Sequence, residues 1–339
     1  MRENTGRRNV RRAGTIASAT AVIASMVTGL VMTTSSPAGA SDGGSTAYRT
    51  TYRWSGAVNT GSKTAVNSAY WSQYAPKYNV LVDWLGGSIL GCLPGLTSST
   101  TNSATLSALN YVRSLAGLAP VSFSSTLNAS AQRAALIMAA NNALSHAPSS
   151  GWKCWSSSGA AAAGRSNLAL AYPSLRAGQI IDLYMDDKGD SNVAVGHRRW
   201  ILNPFSTVMG SGTTDTANAL TVIGPTSSSR PNPRYVGWPT AGYFPNALEP
   251  GGRWSLSSGS KGTSFQYARV YAYNHDGVRI PVRKYSVHSG YAQPTIVWQM
   301  PSWIGKSGTY KITVTGIKRS GYSGTTSTSY TVRLFTPSH

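Results

Sequence analysis

The spacing of apolar residues changes partway along the chain, and that change limits the fold more than any other feature. Between residues 101 and 187 apolar side chains recur every three or four positions, whereas beyond residue 248 they alternate. The first period buries one face of a helix, and the second buries one face of a strand. A chain carrying both in separate blocks builds a helix-containing unit followed by an all-β one, so the expected fold class is α+β. A length of 339 residues leaves room for about two domains. Hydrophobic residues at 41 % suffice to bury a core. No Gly-x-y repeat or long heptad array is present, and past residue 32 no apolar run reaches ~18 residues. Collagen, coiled coil and polytopic membrane protein are thereby excluded.

The first forty residues read as an export signal. Arg7, Arg8, Arg11 and Arg12 form a positive start, Ala13 to Met32 a mildly apolar stretch, and Ala38-Gly39-Ala40 a small-residue cleavage site. Its Gly, Ser and Thr content argues against a retained anchor, so no stable membrane span is expected after cleavage. The expected location is extracellular, with cleavage after Ala40 and with the Sec and twin-arginine routes both open.

Removing residues 1–40 takes away five Arg and one Glu, leaving 25 basic and 9 acidic residues and a formal charge of +16. Such a surface attracts anionic polymers and lipid headgroups. The cations are scattered, with no run of four, so no specific nucleic-acid binding is expected.

The chain has two cysteines, Cys92 and Cys154. In an exported chain an even pair forms one disulfide. It would close a loop of about 60 residues, worth roughly 4 kcal/mol in the chain-entropy account. The alternative, a reactive thiol, needs a low-pKa setting of which the sequence shows no sign.

Five segments follow from composition. After the signal (1–40) comes an aromatic lead-in (41–100), with Trp54, Tyr70, Trp71, Tyr74, Tyr78 and Trp84, which is expected to pack on the next unit. Residues 101–224 carry the helical pattern. A first helix has Leu106, Leu109, Val112 and Leu115 on one face, capped by Asn102 or Ser103 and ended by Gly117 and Pro120. A second begins near Thr126 and ends at His146, whose imidazolium the helix dipole would favour. Residues 147–173 read as a loop, 175–187 as a third helix, and 207–212 and 219–224 as short strands. Residues 225–247, with Pro225, Pro231, Pro233, Pro239 and Pro245, read as an extended connection. Residues 248–339 alternate in several short strands around an Asn274-His275-Asp276-Gly277 turn, which reads as an immunoglobulin-like β-sandwich.

Two histidines stand out, His146 and His197, and the residues around them resemble a known family. Leu109-Asn110-Tyr111-Val112-Arg113 and Gly117-Leu118-Ala119-Pro120-Val121 resemble the first helix of the CAP superfamily and its exit. That superfamily includes cysteine-rich secretory proteins, venom antigens, plant pathogenesis-related proteins and bacterial SCP-like proteins. Ala131 to His146 resembles its second helix and cavity histidine, and Gly164-Arg165-Ser166-Asn167-Leu168-Ala169 its G-E-N-(L/I) segment. Gly196-His197-Arg198 with Ile201-Leu202-Asn203-Pro204 resembles the bacterial form of the second histidine motif.

The resemblance implies a three-layer α-β-α sandwich and a cleft with two histidines and, in many members, two glutamates that hold a divalent metal. Here Ser166 stands where the first glutamate would be, and Asp186, Asp187 and Asp190 occupy the region of the second. A metal such as Zn²⁺ would rest on His146, His197 and Asp187, a three-ligand site at best. No cofactor is required by anything in the sequence. A Ser166, His197, Asp187 triad can also be named, without a G-x-S-x-G elbow or an H-E-x-x-H motif to support it. Asp187 is also placed to pair with Arg198 or Arg199 and so hold the loop.

The expected function is extracellular binding without a chemical step. The ligand is expected to be apolar, a sterol or fatty acid by resemblance, or an anionic partner in the cell envelope. One alternative is a metal-dependent hydrolase or protease using the cleft histidines. Another is a cationic antimicrobial or host-interaction factor.

Overall fold

The computed structural model describes residues 53–304 and 307–339, and the statements below concern those residues. The stretch read as an export signal and the start of the lead-in lie outside them. No helix among the described residues is long and apolar enough to cross a membrane.

The lead-in folds into α1 (Lys63–Ala69), a π turn at Tyr70–Tyr74 and α2 (Ala75–Tyr78). Tyr70, Tyr74 and Tyr111 stack their rings, with centroids 5.2 Å apart for Tyr74 and Tyr111. The lead-in also meets the far end of the chain. Tyr243 N–H donates to the Thr60 carbonyl at 2.7 Å, and Asn67 Nδ2 donates to the Ser338 carbonyl at 2.7 Å. A hairpin of β1 (Trp84–Leu85) and β2 (Leu96–Thr97) follows. Its tip carries a fully exposed Leu90 and Cys92, which is disulfide-bonded to Cys154.

Helix α3 (Ser99–Leu115) starts a few residues before the expected cap, because Ser98 Oγ accepts from Thr101 N–H. Gly117, at φ +79°, turns the chain out of it toward β3 (Ser122–Phe123). Helix α4 (Ser125–Asn141) stops at left-handed Asn142. His146 therefore lies beyond the helix rather than at its end. Between residues 147 and 173, expected to be a loop, are α5 (Ser157–Ala163) and β4 (Ser166–Leu170). Neither shows a period. The first is built of Ser, Gly and Ala, and the second is buried on both faces, so its residues do not alternate. Next come α6 (Ala177–Asp186), α7 (Gly196–Ile201), β5 (Val208–Thr213) and β6 (Ala217–Thr221).

These strands form one sheet, ordered β3-β5-β6-β4, with β3 parallel to β5 and the other pairs antiparallel. Leu168, Leu170, Ala217 and Ala219 face α4 and α5 in one apolar cluster. Ala169 and Leu220 face the other way and join the cluster that holds Leu109, Val112 and Ile181. Helices thus cover both faces, giving three layers. Helix α4 lies against β5 with no room to spare: a Cβ on Gly212 would sit 2.1 Å from the Gln132 nitrogen.

The rest of the chain is β-rich. The stretch read as an extended connection contains β7 (Tyr235–Trp238) and β8 (Gly242–Pro245), with prolines at the strand ends. Then follow β9 (Arg253–Ser258), β10 (Thr263–Ser264), β11 (Arg269–Tyr273), β12 (Arg279–Ile280) and β13 (Arg283–Lys284). Strands β14 (Thr295–Gln299), β15 (Gly308–Arg319) and β16 (Thr326–Phe335) complete it. One sheet runs β13-β14-β9-β7 and the other β12-β11-β15-β16-β8, with β10 added on β15. Strand β8 pairs parallel to β16. Trp254 meets Tyr310 edge-on at 5.8 Å and Trp238 meets Phe244 at 4.9 Å, so the sheets share a core. Trp238, Trp254 and Trp298 are wholly buried there, which makes them packing residues.

Candidate functional site

His146, Ser166 and His197 line one narrow cleft, together with Asn167, Trp200 and Tyr291. The sheet and helices bring them there. Ser166 and Asn167 open β4, His197 is in the first turn of α7, and His146 follows α4 and leans on the end of α5. The cleft has a volume of about 50 Å³.

Each histidine is held through Nδ1. His146 Nδ1 lies 2.9 Å from the Ala163 carbonyl, so the neutral ring donates there. His197 Nδ1 lies 2.8 Å from Asp187 Oδ1. In both rings Nε2 is the nitrogen not used by these bonds. Burial lowers the pKa of His146 below the ordinary imidazole value, and the nearby His197 adds to the shift, with the Ala163 hydrogen bond opposing it. The charged form expected from a helix dipole is therefore disfavoured: the helix has already ended, and the ring is desolvated.

Asp187 is 1 % exposed and occupies the left-handed cap of α6, at φ +52°. Its Oδ2 accepts from the Arg198 backbone N–H at 3.2 Å, while Oδ1 serves His197. No ion pair with either arginine side chain is formed, contrary to the sequence-based expectation. The Arg198 guanidinium turns instead to the carbonyls of Met185 and Asp186, and to Arg253 and Ser255 in β9. Arg199 donates to the Gln293 carbonyl through Nε and Nη2, and to the His288 carbonyl through Nη1. The two arginines after His197 thus join the helical layer to the β-rich part.

The other acidic candidates lie elsewhere. Asp186 pairs with Lys188 at 2.7 Å, and Asp190 is exposed in a short helical turn. Ser166 Oγ donates to the Ala162 carbonyl at 2.7 Å and shares a 3.0 Å bond with Thr221 Oγ1. Its proton is directed into the backbone and not toward an imidazole. Sequence reading missed Asn167, whose Nδ2 donates to the His197 carbonyl at 3.1 Å. It also missed Tyr184, whose hydroxyl donates to Asn218 Oδ1 at 2.8 Å while its ring packs on His197. The Asn167 signal was present, since it occupies the Asn of the G-E-N-like segment.

The donors present do not fit the three-ligand zinc site. Asp187 has both oxygens engaged, which places it behind His197 as an orienting partner. Among the described residues no group of three His, Cys, Asp or Glu side chains stands at metal-holding distance. Two imidazoles alone fall short of the three protein ligands of catalytic zinc sites.

No curated protein matches this chain. Residues 106–223 match a family model described as CAP, the cysteine-rich secretory protein family. That segment runs from within α3 through the central sheet and includes both cleft histidines, so it is the helix-covered part of this protein that is similar to the CAP family.

Proposed function

We propose that this is an exported, non-catalytic binding protein, a bacterial SCP-like CAP domain joined to an immunoglobulin-like sandwich, that holds anionic polymers of the cell envelope. One observation carries the reading: Ser166, the nucleophile candidate of the cleft, directs its proton to the Ala162 carbonyl and shares its other bond with Thr221, so neither histidine Nε2 is bonded to it. His146 is tied to Ala163, His197 to Asp187, and Ser166 to Ala162. A general base and nucleophile need to face each other, and here neither does. A cleft of about 50 Å³ is also small beside the ~300–1,000 Å³ of pockets for drug-sized ligands, which counts against a sterol. The charge of +16 left after removal of residues 1–40 supplies attraction to polyanions. The disulfide between Cys92 and Cys154 agrees with an oxidising location outside the cell.

The test is co-sedimentation of the purified protein with an insoluble acidic cell-wall polymer. Retention is expected at low salt, release at high salt, and no change in His146→Ala or His197→Ala. Absence of retention overturns the reading. So does turnover of peptide, ester or glycan substrates that either substitution abolishes.

A further inference from the structure

A second, much larger pocket opens where the helix-covered part meets the β-rich part, with a volume of about 780 Å³. Trp200 and Phe205 line it from one side and Tyr235 and Tyr291 from the other. Trp200 and Tyr291 also line the histidine cleft, so the two spaces share a wall. That wall is fixed. Arg199 holds the Gln293 and His288 carbonyls on either side of Tyr291, and its guanidinium lies 4.7 Å from the Tyr291 ring centroid. Gly196 leaves space for that ring, since a Cβ there would stand 2.4 Å from Tyr291 Cε1.

The chemistry of the lining is selective. Arg234 and Lys261 border the pocket, both are exposed, and neither belongs to an ion pair among the described residues. No carboxylate lines it. In its wall Gln293, 2 % exposed, has an Oε1 with no hydrogen-bond partner, and Asn232 Oδ1 is likewise unpartnered. Flat aromatic faces and unopposed cations together suit one class of molecule, a sugar bearing an acid group.

We infer that this pocket between the two parts of the molecule binds an acidic saccharide, with its rings on the aromatic side chains and its carboxylate or phosphate at Arg234 and Lys261. This rests on the binding function proposed above and names the place and the ligand class.

Calorimetry on the full chain tests it with four probes: tetrameric oligogalacturonate, its methyl ester, a phosphorylated dextran oligomer, and polyacrylate as an anion without sugar rings. At least one acidic oligomer is expected to bind tenfold or more tightly than the neutral ester. The double variant Arg234→Gln/Lys261→Gln is expected to lose at least tenfold on that oligomer, with polyacrylate binding, spread over the whole cationic surface, little changed. Preference for carboxylate or for phosphate identifies the source, and either supports the inference. Equal affinity for the ester, no binding of either acidic oligomer, or an unaffected double variant overturns it. If polyacrylate binds while both oligomers fail, only this inference falls. If no anion binds at all, the polymer-binding function falls with it.

Discussion

Arg198 and Arg253 each donate to backbone beside the other. Arg198 Nη1 reaches the Arg253 carbonyl at 2.8 Å, and Arg253 Nη1 reaches the carbonyls of Asp187 and Gly189, both at 2.8 Å. Arg198 also binds the carbonyls of Met185 and Asp186. The two guanidinium groups therefore take up the carbonyls at and just past the end of α6, where a helix carries partial negative charge and unpaired acceptors. Two like charges are tolerated together because the helix end and the nearby Asp187 and Asp186 carboxylates supply the opposing field. The same contacts hold the helix-covered part against β9.

Arg198→Met is expected to destabilise the protein by about 3 kcal/mol or more, because several buried carbonyls lose their donors at once. Arg198 is 1 % exposed, so water cannot readily replace it. Urea unfolding of wild type and variant checks this, and a loss below about 1 kcal/mol would show that the clasp contributes little.

The lowered pKa of His146 makes stability depend on pH. The unfolded chain takes up the proton first as pH falls, near the ordinary value of about 6.5. The contribution is thus complete above that pH and is lost as the solution is acidified toward the folded-state value. His146→Gln is expected to lose less stability than wild type between pH 7.5 and 5. Urea midpoints across that range decide it, and parallel pH profiles would count against it.

Asp182 carries the opposite sign. Burial, then repulsion from Asp186, raises its pKa from 3.8 to about 7. The folded state therefore holds a proton that the unfolded state has released, and the stabilisation present at low pH fades as pH rises through about 7. Asp182→Asn keeps the uncharged shape. It is expected to stabilise by on the order of 1–3 kcal/mol at pH 8 and to be near neutral at pH 4. Equal effects at both pH values would contradict this.

Gly212→Ala is expected to be severe. Its Cβ would stand 2.1 Å from the Gln132 nitrogen and 2.3 Å from its Cα, so helix α4 has to move as a body. Overpacking of this kind costs about 1–3 kcal/mol and occasionally more. Gly251→Ala, where nothing lies within 4 Å but φ is +56°, isolates the backbone cost alone. A comparable melting point for the two variants would show that the helix yields easily.

Helices with a clear apolar stripe were legible in the chain. The face of Leu109 and Val112 and that of Ile180, Ile181 and Tyr184 are buried as their spacing required. So were the alternating strands from Arg253 onward. Helix α5 and strand β4 were not, because a helix of small residues and a strand buried on both faces leave no period to read. The ends of α3 and α4 shifted for a similar reason. Serines abound at these positions, and only the backbone shows that Ser98 and Ser124 accept the capping bonds.

The sequence by itself determined which residues carry the cleft, since His146, Ser166 and His197 stand in motifs whose order along the chain is informative. It also determined the cysteine pair and the excess of positive charge. Only the tertiary structure decided what those groups are free to do. Whether Asp187 binds a metal, pairs with an arginine or orients His197 depends on which atoms lie near its two oxygens, and linear spacing carries no such information. The same holds for Arg198 and Arg199, whose partners Arg253 and Gln293 are far along the chain. A hydrogen bond is decided over about 3 Å, and the folding of the β-rich part onto α7 is what brings those atoms that close.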